Sequence, residues 1–203
     1  MNVARILYPV EVLGPGKRIA IWFCGCPHKC NGCANPELWN FNEKYEVEID
    51  ILLDLIQRIV GSNHVDGFTI TGGEPFYQEE QLTELLSALS KWTDDILVFT
   101  GYYLEQIKLS PALKNIAVLV DGPYIKERNY GLRLRGSDNQ TIHFLKKKYE
   151  PRYQQYLKGS FSQIQNFMEG NSVISVGIHK PDFSERINTL MSEKGLIEGG
   201  SEK

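Results

Sequence analysis

Cys24, Cys26, Cys30 and Cys33 are the four cysteines of the chain, and all lie in the stretch "CGCPHKCNGC". Thiols that cross-link a fold are spread along it, so that their bridges close long loops. A cluster this tight points instead to one small object held by several sulfurs. Structural zinc sites pair two short CxxC-like knuckles across a longer stretch, and the chain has no second knuckle. Bacterial ferredoxin ligation uses CxxCxxC with a distant further cysteine. Here Cys26, Cys30 and Cys33 form CxxxCxxC, with Cys24 adding a CxC in front, and no distant cysteine exists. Three ligands on a four-iron cubane leave one iron without a protein thiolate. An open coordination position marks a catalytic metal site rather than a structural one. The competing reading is a structural metal knuckle, or simply buried thiols.

The segments around the loop say what must position it. "IAIWF" (19–23) is a short apolar run of β-formers leading into the cysteines. "GFTI" (67–70) precedes "TGGEP", "DILVFT" (95–100) precedes "GYY", and "IAVLVDG" (116–122) precedes "PY". Between these runs, "VEIDILLDLIQRIV" (47–60) carries apolar residues at helical spacing. "EEQLTELLSALSKW" sets Leu82, Leu85, Leu86, Leu89 and Trp92 on one helical face, and "YLEQIKL" is a short helix candidate. Strands alternating with helices predict an α/β fold with a parallel sheet covered on both faces. Functional residues of such sheets gather at the carboxyl ends of the strands. The cysteine loop, "TGGEP", "TGYY" and "DGPY" are therefore expected to converge on one rim.

After about Phe144 the texture changes. "LKKKYEPRYQQYLKG" is basic, aromatic and partly helical, and "SFSQIQNFMEGNSVISVGIH" reads as two strands around "EGNS". "KPDFSERINTLMSEKGL" reads as a helix with an N-cap at Asp182 or Ser184 and an end at Gly195, followed by a frayed "IEGGSEK". The expected division is a core domain over residues 1–144 and a small α+β extension over 145–203.

Composition bounds the function. The 203 residues are 42% hydrophobic and 23% charged with a net charge of −3, enough apolar material for a core. The balance argues against a nucleic-acid binder, which normally shows a basic stripe. No run approaches the roughly 18 apolar residues that span a bilayer. "MNVARILYPVEVLGPG" has no secretory h-region, so the expected compartment is the reducing cytoplasm, where clustered cysteines read as metal-binding or catalytic.

"GPGKRIAIWFCGCPHKCNGCANPELW" resembles the radical S-adenosylmethionine (SAM) enzymes, and among them the glycyl-radical-enzyme activases of the anaerobic ribonucleotide reductase type. "TGGEP", "FTGY", "VLVDGPY" and "LRGSDNQ" follow in the family's order, so the resemblance runs from about Tyr8 to Phe144. Gly32 stands where many radical SAM loops carry an aromatic residue, as it does in the reductase activases.

The resemblance implies an incomplete (β/α) barrel of the radical SAM type with the small C-terminal extension. It implies that Cys26, Cys30 and Cys33 ligate a 4Fe–4S cluster whose remaining iron takes the amine and carboxylate of SAM. Reductive cleavage would then give a 5′-deoxyadenosyl radical that removes hydrogen from a glycine of a large partner. Gly32, Cys33, Ala34, Gly72, Gly73, Glu74, Thr100 and Asp121 are the implied cofactor-contacting residues. Gly72 and Gly73 would permit close backbone approach, and Glu74 would neutralise the SAM ammonium. Thr100 would reach the ribose or carboxylate, unless it is a turn residue. Asp121 would bind ribose or substrate, unless it caps the next turn.

Arg135 and Asn139 are polar candidates near the rim. Tyr102, Tyr103 and Tyr124 could serve a protein interface or be ordinary half-buried tyrosines. His28 could tune the cluster by hydrogen bonding or be a partly exposed loop residue, the reading favoured here; Cys24 is expected as a strand residue and not a ligand. Lys17 and Arg18 could attract an acidic electron donor or anionic ligand, but read better as a solvated basic pair. The implied partners are a large glycyl-radical enzyme, or another protein or peptide substrate, and a flavodoxin- or ferredoxin-type electron donor. Two other readings remain: a related enzyme acting on a peptide or small molecule, and an iron–sulfur binding or electron-transfer protein without SAM chemistry.

Overall fold

The computed structural model describes residues 1–160, 163–170 and 172–193. The expected end of the last helix at Gly195 and the tail beyond it fall outside the described residues. Six strands form one sheet in sequence order: β1 (Val3–Val10), β2 (Arg18–Phe23), β3 (Gly67–Gly72), β4 (Ile96–Phe99), β5 (Val118–Asp121) and β6 (Thr141–Phe144). The four central strands, β2 to β5, pair in parallel. The outer pairs, β1 with β2 and β5 with β6, are antiparallel. The sheet is open, with β1 and β6 as its edges.

One face is covered by α1 (Ile49–Ser62) and α2 (Glu79–Leu89). Leu52 and Ile56 of α1, four residues apart, and Leu82, Leu85, Leu86 and Leu89 of α2 meet Ile19, Ile21, Phe23, Phe68 and Ile70 from the strands. Glu79 and Glu80 occupy the first turn of α2, where carboxylates complement the helix dipole. Trp92 does not continue the leucine stripe; it lies past the helix end, tilted against Phe68 with ring centroids 6.3 Å apart. A short α3 (Leu104–Ile107) connects β4 to β5.

The other face has two covers. α4 (Glu150–Lys158) buries Tyr153 and Tyr156 against Leu97, Val118 and Val120. A hairpin of β7 (Ile164–Glu169) and β8 (Ser172–Gly177) sets Val176, with Phe167 and Ile174, in the cluster of Val10, Trp22, Cys24 and Leu38. Both covers come from the segment after Phe144. The hairpin also reaches the edge strand: Gln165 Nε2 donates to the Pro9 carbonyl at 2.7 Å, and Gln165 Oε1 accepts from Glu11 N–H at 2.9 Å. Beyond it, α5 spans Phe183–Glu193.

Arg18 overturns the reading of a solvated basic pair. Lys17 is exposed, but Arg18 opens β2 at 0% exposure. Its guanidinium donates to Thr69 Oγ1 (2.7 Å), to the Phe68 carbonyl (2.5 Å) and to the carbonyl and carboxylate of Asp95 (2.9 and 3.2 Å). Tyr153 of α4 donates to the same carboxylate at 2.7 Å. Arg152 lies 3.3 Å from its other oxygen. Every charge in this group has partners, the condition for tolerating it in a core. The cluster fastens α4 to the amino ends of β2 and β4, opposite the rim described next.

Candidate functional site

The four loops at the carboxyl ends of β2 to β5 do meet, and backbone hydrogen bonds join them. Gly73 N–H donates to the Phe23 carbonyl at 2.7 Å and Glu74 N–H to the Gly25 carbonyl at 2.8 Å, so "TGGEP" is zipped to the start of the cysteine loop. A side chain at Gly73 would stand 2.4 Å from the Gly25 oxygen, so only glycine permits this crossing. Gly72 closes β3 against the Phe23 backbone. Further along, Gly122 N–H donates to the Tyr102 carbonyl at 2.9 Å, tying the loop after β5 to the loop after β4.

Glu74 is the centre of this arrangement. It is 1% exposed, and both carboxylate oxygens are engaged. Oε1 accepts from Thr100 Oγ1 at 2.8 Å and from Phe76 N–H at 3.0 Å. Oε2 accepts from Gly101 N–H at 2.7 Å and lies 3.1 Å from His28 Nε2. One carboxylate thus links the loops after β2, β3 and β4. Sequence reasoning did not foresee His28 in this role. Its ring packs edge-on to Tyr102 at 4.6 Å and against Gly101, where a Cβ would come within 2.5 Å of it. A histidine inside the cysteine loop was the available signal; its partner lies 46 residues away.

Thr100, 4% exposed, spends its hydroxyl on Glu74 and on the Tyr102 N–H, which it accepts at 3.1 Å. Asp121 is likewise engaged by its own chain. Oδ2 accepts from Leu104 N–H at 2.7 Å, at the start of α3, and Oδ1 from Thr141 N–H at 3.3 Å. His143 Nε2 lies 3.0 Å from Oδ2 without the alignment of a hydrogen bond. "LRGSDNQ" braces the loop after β5: Gln140 Nε2 donates to the Gly122 carbonyl and Asn139 Nδ2 to the Pro123 carbonyl, both at 2.8 Å. Arg135 donates to the Gln140 carbonyl at 3.3 Å. Tyr103 is exposed, whereas Tyr102 and Tyr124 are half-buried.

The thiols themselves divide into two kinds. Cys24 is buried in the strand-to-loop transition, and its thiol donates to the Asn40 carbonyl at 2.9 Å. Cys26, Cys30 and Cys33 are free and partly exposed, with Pro27, Lys29, Asn31, Gly32 and Ala34 on the solvent side around them. Gly32 lies under the Lys126 side chain from the loop after β5. Segment 38–40 runs beside the loop: Gly25 N–H donates to the Leu38 carbonyl and Cys26 N–H to the Trp39 carbonyl, both at 2.8 Å. Burial pushes the thiols of Cys26 and Cys33 up, with smaller contributions in the same direction from Glu74 and the Cys33 sulfur on Cys26, and from the Cys30 sulfur and Glu37 on Cys33. Among the described residues, no three His, Cys, Asp or Glu side chains converge as a mononuclear metal site would require. Three neighbouring thiols of soft-ligand character, spread over one loop, fit a multi-iron cluster better than one zinc ion.

A family model described as a 4Fe-4S single cluster domain matches residues 12–143. Three curated relatives, all named anaerobic ribonucleoside-triphosphate reductase-activating protein, align with the chain. The protein of Enterobacteria phage T4 is 36% identical over 149 residues, 70% of this chain and 93% of its own length. That of Vibrio cholerae is 34% identical over 148 residues, 67% and 94% of the two chains. That of Escherichia coli K12 is 30% identical over 152 residues, 68% and 96%.

Proposed function

We propose, for a chain that belongs to the family of anaerobic ribonucleoside-triphosphate reductase-activating proteins, that the converged rim is where it works as a radical SAM activase. Its cofactors are a 4Fe–4S cluster and SAM. Held by Cys26, Cys30 and Cys33, the cluster would pass one electron from an external reductant to the sulfonium C–S bond of SAM, and the radical chemistry so supplied would remove a hydrogen atom from a glycine of the reductase.

Cys26, Cys30 and Cys33 hold the cluster. Their free, partly exposed thiols support this, as does the engagement of Cys24 with Asn40. Gly32, Ala34, Gly72, Gly73 and Glu74 line the place of SAM. Glu74 presents its negative charge there while its lone pairs fix the loops, so it acts as a field and a brace together. Thr100 orients Glu74, and Asp121 holds the start of α3 beside the rim.

The sheet, open between β1 and β6, supports an incomplete barrel that a partner's loop enters from the side. The electron donor is a flavodoxin- or ferredoxin-type protein. The solvent-side residues of the cysteine loop, Lys29 among them, support a docking site there for an acidic carrier. No helix among the described residues is long and apolar enough to cross a membrane.

The carrying observation is the union of the cysteine loop with the loops after β3 and β4 through one buried carboxylate. The test is anaerobic. The protein is reconstituted with iron and sulfide, given SAM and dithionite, and assayed for 5′-deoxyadenosine, with Cys30→Ala as the control. Addition of an anaerobic ribonucleotide reductase must then produce a glycyl-radical signal. A fully loaded cluster that cleaves no SAM, with or without the reductase, refutes the proposal.

A further inference from the structure

The buried Glu74 carboxylate accepts from Thr100, Phe76, Gly101 and His28. An ionised carboxylate offers about four lone-pair sites, so the chain's own donors saturate it. An incoming ammonium that is to share this carboxylate must take the place of one of them. The Phe76 and Gly101 donors, at 3.0 and 2.7 Å, are backbone N–H groups and are fixed with the chain. The Thr100 hydroxyl, at 2.8 Å, sits on a short buried side chain and also accepts from the Tyr102 N–H. His28 differs in every respect. Its contact is the longest of the four at 3.1 Å, it is made by a side chain with two rotatable bonds, and that side chain is 19% exposed. Because the carboxylate only accepts, Nε2 carries the proton in this contact whatever the charge of the ring.

We propose that His28 is a placeholder: it occupies the lone pair of Glu74 Oε2 that the ammonium of SAM takes, and it yields that lone pair when the ligand binds. The inference rests on the reading above that Glu74 faces the SAM ammonium. The exchange replaces one N–H donor with another, so the buried carboxylate keeps its partners throughout. Thr100, Phe76 and Gly101 go on tying the loops after β3 and β4 together. Binding then includes breaking the His28 contact, and the apparent affinity is reduced by the fraction of molecules in which the lone pair is free. The sign of the effect sets this role apart. A histidine that only braced the site would weaken binding when removed, whereas removal of a placeholder tightens it.

The experiment is anaerobic calorimetry on the reconstituted full chain, wild type against His28→Ala at matched iron content and without reductant. The ligands are SAM, S-adenosylhomocysteine, and the S-adenosylhomocysteine analogue with hydrogen in place of its α-amine. The expected result is a Kd about three- to tenfold lower in His28→Ala for the two amine-bearing ligands, the span of one net hydrogen bond, and an equal Kd for the analogue. An equal or higher Kd for the amine-bearing ligands in a loaded variant overturns the proposal, as does an equal gain for the analogue. If His28→Ala does not load its cluster, the wild type decides by carbethoxylation of His28 with diethyl pyrocarbonate, located by mass spectrometry. Saturating S-adenosylhomocysteine is expected to speed that labelling several-fold, and unchanged or slower labelling overturns the proposal. A loaded wild type that binds neither SAM nor S-adenosylhomocysteine overturns the underlying reading together with this one, whereas ligand binding that is indifferent to His28 overturns this one alone.

Discussion

Thr100 donates its hydroxyl to the Glu74 carboxylate at 2.8 Å, joining the ends of two adjacent parallel strands at a point where both residues are buried. Three further donors converge on that carboxylate, from Phe76, Gly101 and His28. The rim is therefore built around one negative charge.

Replacing Glu74 with alanine leaves those donors without an acceptor. Each buried donor so stranded costs about 1–3 kcal/mol, so Glu74→Ala is expected to lower stability by about 3 kcal/mol or more and to abolish 5′-deoxyadenosine formation. Thr100→Val removes one donor and is expected to cost about 1 kcal/mol. Urea unfolding of the apo-proteins measures both. Equal stability of Glu74→Ala and wild type would show that the carboxylate does not brace the loops.

The two kinds of thiol predict two kinds of variant. Cys26→Ala, Cys30→Ala and Cys33→Ala are each expected to lose most of the bound iron and all SAM cleavage. Cys24→Ala loses a hydrogen bond to Asn40 and a buried methylene-sized group, and is expected to keep the cluster. Iron and sulfide analysis after anaerobic reconstitution separates the cases; iron loss in Cys24→Ala to the level of Cys30→Ala would make Cys24 a ligand.

Gly73→Ala tests the crossing of the loops. Its new methyl group would press on the Gly25 oxygen, 2.4 Å away, and backbone does not yield as a side-chain tip does. The expected outcome is a folded protein, by circular dichroism, whose iron content falls several-fold. Full iron loading would show that the two backbones part without consequence.

At the far end of the sheet, Arg18→Ala is expected to cost about 3–5 kcal/mol, the range for removing one partner of a buried ion pair. Asp95 and the Tyr153 hydroxyl would be left around the gap. Urea unfolding monitored by far-ultraviolet circular dichroism gives the value. A change below about 1 kcal/mol, the scale of an exposed pair, would mean that Arg152 replaces Arg18 as the partner of Asp95.

Acid stability has a separate source in Asp94. Lys148, and then the Tyr149 hydroxyl, hold its carboxyl down at about 2. An aspartate depressed below its unfolded value of about 3.9 adds stability that is present above about pH 4 and lost as pH falls through about 2. The carboxylate is 36% exposed, so solvent limits its share to about 1 kcal/mol. Wild type and Asp94→Asn are expected to differ in urea midpoint at about pH 5 and to converge near about pH 2. Parallel profiles across that window would remove Asp94 from the account.

The central strands are legible in the sequence because they are covered on both faces, so that Ile19–Phe23 runs without a polar break. β1 and β6 escape it. Val3–Val10 is half-buried along nearly its whole length, and Thr141–Phe144 is a short edge strand. The first shows no clear period of two, and the second alternates, with Ile142 and Phe144 inward, over only four residues. At the site, the cysteines, Gly73 and Glu74 are legible as residue types at loop positions. What they touch is not, because a bond such as Thr100 to Glu74 spans 26 residues and depends on strand order. Arg18 is the plainest failure of one-dimensional reading: an isolated cation reads as solvated unless Asp95, 77 residues on, is known to face it.

An open sheet has two raw margins, and a raw margin invites another chain to pair with it. Beside β1 that invitation is withdrawn by an amide: the Gln165 side chain offers the Pro9 carbonyl a donor and the Glu11 N–H an acceptor. It imitates a rung of a neighbouring strand and then stops. The consequence is colloidal rather than catalytic: Gln165→Ala should leave the rim intact yet make the protein more prone to ordered self-association.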